Sequence, residues 1–246
     1  MTFRWLAGFV AVALAALAVA TPAHAQGITQ QQADQILEEL RAIRQLLERP
    51  PIAAPSGPPP PSARVTLPAA TVYALGRADA PLTMVEFTDL ECPFCRQFHV
   101  TTFEQLKKNY IDTGKLRFVT RDFPLDFHAN ARPAAHAARC AGEQNRFWEM
   151  RHVLTVNAAA LNRDAMLKFA RELGLDMSQF EACFTAERYR EAIDRDVADA
   201  RGANVSGTPT FVLGKTAPQG FEGLRIVGAQ PYAVFEQKIK ELLGEK

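Results

Sequence analysis

Cys92 and Cys95 stand three positions apart in "ECPFCRQF", separated by Pro93 and Phe94. Two thiols at this spacing can form a redox pair, supply half of a metal site, or pack as ordinary core residues. The local pattern separates these uses. The run "LTMVEFTDL" (residues 82–90) reads as a buried strand, and residues 93–110 read as a helix. Proline suits the first helical position, because its missing N–H would be unpaired there. Cys92 then falls at the N-cap and Cys95 at the third helical position. A Cys92 thiolate would face the free amides of Phe94 and Cys95 at the positive end of the helix dipole, which lowers its pKa below the ordinary ~8.5. Cys95 lies one turn in and points back toward it. One sulfur is placed to be attacked and to leave, and the other to resolve a mixed disulfide.

The metal reading is weaker. Tetrahedral zinc asks for four ligands, commonly a second C-x-x-C or paired histidines. Cys140 and Cys183 are far apart and lack that spacing, and His99, His128, His136 and His152 form no paired ligand motif. The histidines read as exposed or internally satisfied structural residues.

The elements that must position this pair follow in order. Residues 115–123, "KLRFVTRDF", form the next strand candidate. A long helical stretch covers about 129–201. Asn162 can cap "RDAMLKFAREL" and Gly174 can end it, while Asp176 with Gln179 resembles a capping box opening one helix, "MSQFEACFTAERYREAIDRDVADA". "TFVLG" and "LRIVG" (210–214 and 224–228) read as short paired strands. Pro231 starts a last helix with Tyr232, Phe235, Ile239 and Leu242 on its inner face. The order is strand–helix–strand, a helical insertion, then strand–strand–helix. This is an α/β domain over residues 64–246, and roughly 180 residues suffice for one core.

Ahead of the domain lie three other zones. Residues 1–25 read as a secretory signal peptide: Arg4, an apolar run over 5–20, and an A-x-A site at Ala23–Ala25. The run is short for a membrane span. Cleavage after Ala25 would deliver the chain to a periplasm, an oxidising compartment where disulfides persist. Residues 26–49 hold an amphipathic helix over 28–49. Ala33, Leu40 and Leu47 fall at position a, Ile36 and Ile43 at d, Glu39 and Leu46 at g, and Leu37 and Arg44 at e. Residues 50–63, "PPIAAPSGPPPPSA", form an extended, semi-rigid linker. A helix held off by such a spacer has no local surface for its stripe, so homo-oligomerisation through 28–49 is expected. Net charge is +1 with no basic block, so nucleic acid is not a favoured partner.

"VEFTDLECPFC" after a strand, with "SGTPTFVLG" downstream, resembles the DsbA-like thioredoxin-fold family. The resemblance covers the domain from about residue 70 and implies a thioredoxin fold with an inserted helical subdomain. It implies that Cys92 is the nucleophile of the redox pair and that Pro209, after Thr208, is cis and faces the disulfide. It also places a buried acid, here Glu86, beneath the pair, where it could relay a proton to or from Cys95. Thr208 would then present its backbone to an extended substrate. If Cys92 pairs with Cys95, Cys140–Cys183 is the remaining pairing; it closes a loop of about 40 residues, worth about 4 kcal/mol in loop entropy.

The function this implies is a periplasmic thiol:disulfide oxidoreductase that introduces disulfides into reduced secreted proteins and is reset by a membrane redox partner. No metal or organic cofactor is required. Phe94 stands where the strongest oxidants of the family carry histidine, so a milder thiolate shift is expected. Thr208 keeps isomerase or reductase action from the dithiol form open, and a thiol-based metal-binding module is the non-enzymatic alternative. Phe94, Phe98 and residues 121–127 could form an apolar rim near Cys92, Arg121 could partner Glu86, and a Glu91 charge close to Cys92 would oppose the dipole.

Overall fold

The computed structural model describes residues 29–48, 64–67, 73–217 and 221–245. The expected signal peptide (1–25) and linker (50–63) lie outside the described residues. The chain divides into an N-terminal unit and a domain. In the first, α1 (Gln30–Glu48) opens with a reciprocal cap: Gln32 N–H donates to Thr29 Oγ1, and Thr29 N–H donates to Gln32 Oε1. Ile36, Leu37 and Leu40 are each about half exposed along it.

In the domain, β1 (Arg64–Leu67), β2 (Ala74–Leu75), β3 (Leu82–Thr88), β4 (Leu116–Asp122), β5 (Thr210–Lys215) and β6 (Phe221–Val227) make one sheet in the order β1-β6-β5-β3-β4-β2. β3 runs parallel to β4 and antiparallel to β5. Every residue of β3 is buried, Thr83, Glu86 and Thr88 included, as in a strand covered on both faces. Side chains alternate between those faces. Leu82 and Met84 join Phe98, Phe118, Phe211 and Phe235 in one cluster, whereas Val85 and Phe87 join Val119, Val197 and Val212 in another. Glu86 therefore continues the Leu82–Met84 row, on the side covered by α2 (Pro93–Phe98) and α9 (Tyr232–Leu243).

The helix that starts at Pro93 runs to Ile111 through α3 (Glu104–Leu106), with wide π-type turns at His99–Phe103 and Lys107–Ile111. The first of these turns buries His99, Thr102 and Phe103.

The insertion comprises α4 (Ala131–Gly142), α5 (Phe147–Val156), α6 (Arg163–Glu172) and α7 (Met177–Thr185) around their own apolar cluster, and α8 (Arg190–Gly202), whose Val197 and Ala200 join the cluster of Val85 and Phe87 on the sheet. Asn162 caps α6 by accepting Ala165 N–H at 2.9 Å, and Gly174 follows that helix at φ +71°. The segment expected as one helix after Asp176 is two. Asp176 accepts Gln179 N–H at 3.0 Å, but its own N–H goes to Gln144 rather than back to Gln179, and the chain turns through Glu187 at φ +46°. No glycine or proline marks this break. It arises because α7 packs on α4, to which Cys183 ties it, whereas α8 packs on β4. Pro231 is the N-cap of α9 rather than its first helical residue, a one-residue shift of the kind helix ends show.

Cys140 and Cys183 are joined, with Cα atoms 5.8 Å apart and a sequence separation of 43. The Cys140→Ala/Cys183→Ala variant should lose about 2–4 kcal/mol of stability while keeping the fold. Urea unfolding of the two proteins with Cys92 and Cys95 reduced in both checks this. Equal midpoints would mean that α4 and α7 hold together by packing alone.

Candidate active site

The pairing of β5 with β3 decides what faces Cys92. Phe87, near the end of β3, lies opposite Thr210, the first residue of β5. The segment leading into β5 must therefore pass beside the segment leaving β3. The peptide between Thr208 and Pro209 is cis. The Cys92 thiol donates to the Thr208 carbonyl oxygen at 3.5 Å, across 116 positions of sequence. Pro209 is held from its other side, where its carbonyl accepts Gly228 N–H at 2.8 Å.

The turn out of β3 is organised by Asp89, which sequence reasoning passed over. One carboxylate oxygen accepts Glu91 N–H, and the other accepts Leu125 N–H and bonds His128 Nδ1, each at 2.8 Å. An aspartate bonding the amide two residues on is an Asx-turn signal that was available in the sequence. Its ties to Leu125 and His128, 36 and 39 positions away, were not. Cys92 is extended at the N-cap (φ −72°, ψ 125°), Pro93 opens α2, and Arg96 N–H makes the first helical bond to the Cys92 carbonyl. The Glu91 carboxylate is engaged elsewhere: it accepts the Asn130 N–H at 2.6 Å and side-chain amide at 3.1 Å, at the start of α4.

Cys92 and Cys95 are free thiols, 3% and 1% exposed. Their acidities diverge. Cys92 is lowered from 9.0 to about 5, first by a hydrogen bond from the Cys95 thiol; burial opposes this, and the Thr208 side chain and the amides of Cys95 and Phe94 add to the lowering. Position at a helix start by itself would rank the amides first. The Cys92 side chain makes no well-formed cap bond to the helix, so the thiol one turn along is the stronger donor. Burial pushes Cys95 well above its ordinary value, and its hydrogen bond to Cys92 and the Glu86 charge push it further.

Glu86 is fully buried in the middle of β3. Burial raises its pKa, and the Arg151 charge opposes that rise. Arg151, on α5, donates to Glu86 Oε2 through Nη2. Arg121, the expected partner, instead bonds Asp199 at 2.5 Å. The reason is strand parity: Arg121 sits opposite Phe87, in the row that faces α8, not beside Glu86. Nothing in the spacing pointed to Arg151, 65 positions from Glu86.

The apolar rim is only partly present. Phe98 is fully buried and Phe123 nearly so, because both fill clusters against the sheet, while Phe94 and Phe127 are 60% and 78% exposed. A groove of about 650 Å³ runs beside Pro93, lined also by Arg96, His128 and residues 156–160. The histidines have separate roles. His99 bonds His152, His128 bonds Asp89, and His136 is buried with neither ring nitrogen bonded, contrary to the expectation of an exposed or satisfied residue. Burial lowers its pKa, favouring the neutral ring. Among the described residues no three of His, Cys, Asp and Glu gather as metal ligands.

A family model described as Thioredoxin matches residues 69–225. The Na(+)/H(+) antiporter NhaA 3 of Salinispora tropica is 35% identical over 164 residues, which cover 66% of this chain but 24% of that protein. The chain thus spans a minor part of the first relatives it matches. Probable disulfide bond formation protein D of Bacillus cereus is 29% identical over 164 residues, covering 63% of this chain and 76% of that one. The crystal structure of alpha-DsbA1 from Wolbachia pipientis is similar with a TM-score of 0.63 at 25% identity, covering 70% of this chain and 90% of that chain.

Ultraviolet thiolate titration of the reduced protein should show one transition at about 5, absent in Cys92→Ser. A pKa lowered on folding adds stability that is full above the ordinary value and is lost as pH falls through the folded one. The reduced protein should therefore lose stability relative to its Cys92→Ser variant as pH drops from about 9 through about 5. A stability difference that stays flat across that window would contradict the assignment.

Proposed function

We propose, from the premise that this chain belongs to the DsbA-like thioredoxin family, that it is an extracytoplasmic thiol:disulfide oxidoreductase acting through Cys92 and Cys95. The fold is the thioredoxin fold with a helical insertion. The observation that carries the reading is the opposite acidity of two thiols one helical turn apart, the acidic one facing a cis Thr208–Pro209 turn. The site acts on reduced secreted proteins and introduces disulfides into them.

In the oxidised enzyme a substrate thiolate attacks Cys92 Sγ. The new bond joins substrate sulfur to Cys92, the Cys92–Cys95 bond breaks, and Cys95 leaves as a thiolate that takes a proton from Glu86 or water. Its high proton affinity makes that protonation favourable. A second substrate thiolate then attacks the first substrate sulfur and expels Cys92 as a thiolate, its stable form at neutral pH. Two substrate thiols have been oxidised and the pair reduced, so a membrane redox partner must withdraw the two electrons. Thr208 meets the backbone of the extended substrate, and Phe94, Phe127 and the groove beside Pro93 supply apolar contact. Phe94 gives the thiolate neither a hydrogen bond nor a positive charge, so the disulfide is less oxidising than in relatives with histidine there.

Residues 1–25 act as a signal peptide that carries the chain to the periplasm; no helix among the described residues is long and apolar enough to cross a membrane. The exposed Ile36, Leu37 and Leu40 of α1 support homo-oligomerisation through residues 28–49. Thr208 is the feature that favours isomerase action, which would work from the dithiol.

Cys92→Ser should abolish oxidation of a reduced unfolded protein, and Cys95→Ser should accumulate the Cys92–substrate mixed disulfide, seen by non-reducing electrophoresis. Trapping the thiols in cells separates the directions: a mostly oxidised pair supports oxidation, a mostly reduced one supports isomerisation. Light scattering of the chain with and without residues 28–49 should show a higher subunit number only when they are present; equal subunit numbers would end the oligomer reading.

A further inference from the structure

The ion pair beneath the redox site has an unusual construction. Glu86 belongs to the central strand, but its counter-charge comes from α5 in the insertion. Both side chains are almost wholly removed from solvent, at 0% and 2% exposed. Only one carboxylate oxygen of Glu86 is bonded; Oε1 is buried with no hydrogen-bond partner. Across the sheet Glu86 stands opposite Thr120 on β4 and Phe211 on β5, neither of which titrates near neutrality. Thr88, two residues on along the same face of β3, also opposes the rise in the Glu86 pKa through its hydroxyl. From the helices it meets the charges of Arg151 and of Cys92 and Cys95.

Arg151 is itself held from behind. Its Nη1 lies 3.3 Å from His99 Nδ1, His99 Nε2 lies 3.0 Å from His152 Nδ1, and its guanidinium stands 5.7 Å from the Trp148 ring. A guanidinium only donates, so His99 Nδ1 must accept. The His99 proton therefore sits on Nε2 and is donated to His152. His99 is a neutral ring that fills one arm of the Arg151 fork while the other arm holds Glu86. His152, at the outer end of this chain of contacts, is exposed.

We propose that Arg151, locked by His99, is the positioning residue that keeps Glu86 able to gain and lose a proton at the pH where the Cys92–Cys95 pair works, so that the insertion sets the pH dependence of the redox site. The inference rests on the thiol–disulfide reading above. A carboxyl buried with no counter-charge stays protonated; it holds that proton too tightly to release it readily and does not stand ionised to accept one from Cys95 at neutral pH. An adjacent guanidinium restores the exchange in both directions. The unbonded Oε1 is the oxygen left free to make it, and the order Glu86–Arg151–His99–His152 explains why a histidine is buried in the wide turn after α2.

The test is the pH dependence of the equilibrium between the Cys92–Cys95 pair and glutathione. The Cys92 thiolate raises the pKa of Glu86, so reduction draws a proton onto Glu86 over a limited pH window and bends the profile there. Glu86→Gln should remove the bend. Arg151→Met should move it upward by about 1–3 pH units, the usual effect of losing an adjacent opposite charge, and the Glu86→Gln/Arg151→Met variant should show no bend. An Arg151→Met profile that superposes on wild type, or a shift that persists without Glu86, would overturn the proposal. Should the single variant fail to fold, His99→Met removes the lock but leaves both charges. It should move the bend in the same direction by a smaller amount, and an unmoved bend would overturn the proposal equally. Exchange with an unshifted profile defeats this inference alone; a wild-type protein that does not exchange with glutathione defeats the thiol–disulfide reading with it.

Discussion

A sulfur anion has to persist at the junction of β3 and α2 with very little water around it. Everything else in the domain can be read as support for that condition. Cys92 is almost completely covered, and an ionised group so placed must find its stabilisation in fixed donors. The Cys95 thiol is the strongest of these, and the Thr208 side chain and two helix-start amides complete the set. Of these, Thr208 would not be in place without the antiparallel β3–β5 pairing, which brings the entry to β5 alongside the exit from β3. The same pairing presents the cis Thr208–Pro209 turn to the Cys92 sulfur.

The two sulfurs differ because burial acts on them unequally. Cys92 caps the helix from outside its first turn, and donors converge on it. Cys95 sits one turn deeper, close to a carboxylate and to the very thiolate it stabilises, so it keeps its proton. A shared proton between neighbouring thiols makes one acidic at the other's expense, which is the asymmetry that thiol–disulfide exchange needs between an attacking and a leaving group.

Buried charge also fastens the insertion to the sheet. Arg139 on α4 reaches Asp122 of β4 at 2.6 Å and Asp196 of α8 at 2.5 Å; Arg121 of β4 reaches Asp199 of α8; Arg151 of α5 reaches Glu86 of β3. Burial raises Asp196 to about 6, with Asp122 adding to the rise and Arg139 opposing it. Taking such charges out of water costs several kcal/mol per ion before the pair is formed. Apolar contacts would hold the helices with less expense of free energy but with less defined registration. Each ionic contact accepts one arrangement of helix on strand, and the arrangement it accepts at Glu86 is the one that puts the Arg151 guanidinium against that carboxylate.

Much of this was legible in the residues themselves. Cys92 at a strand-to-helix junction, Pro93 at the first helical position, the Asn162 cap and the apolar faces of β3 and α9 depend on neighbours within a few positions, and local sterics and hydrogen bonding settle them. The split between α7 and α8, the partner of Glu86, the bonding of Glu91 to Asn130 and the ranking of donors to Cys92 did not show, because each is decided by residues dozens of positions away. The sequence by itself determined where a reactive thiol pair sits and what elements carry it. The tertiary structure alone decided which counter-charge stands beside Glu86 and which donor to Cys92 ranks first, since strand order and helix packing choose among partners that local energetics leaves equivalent.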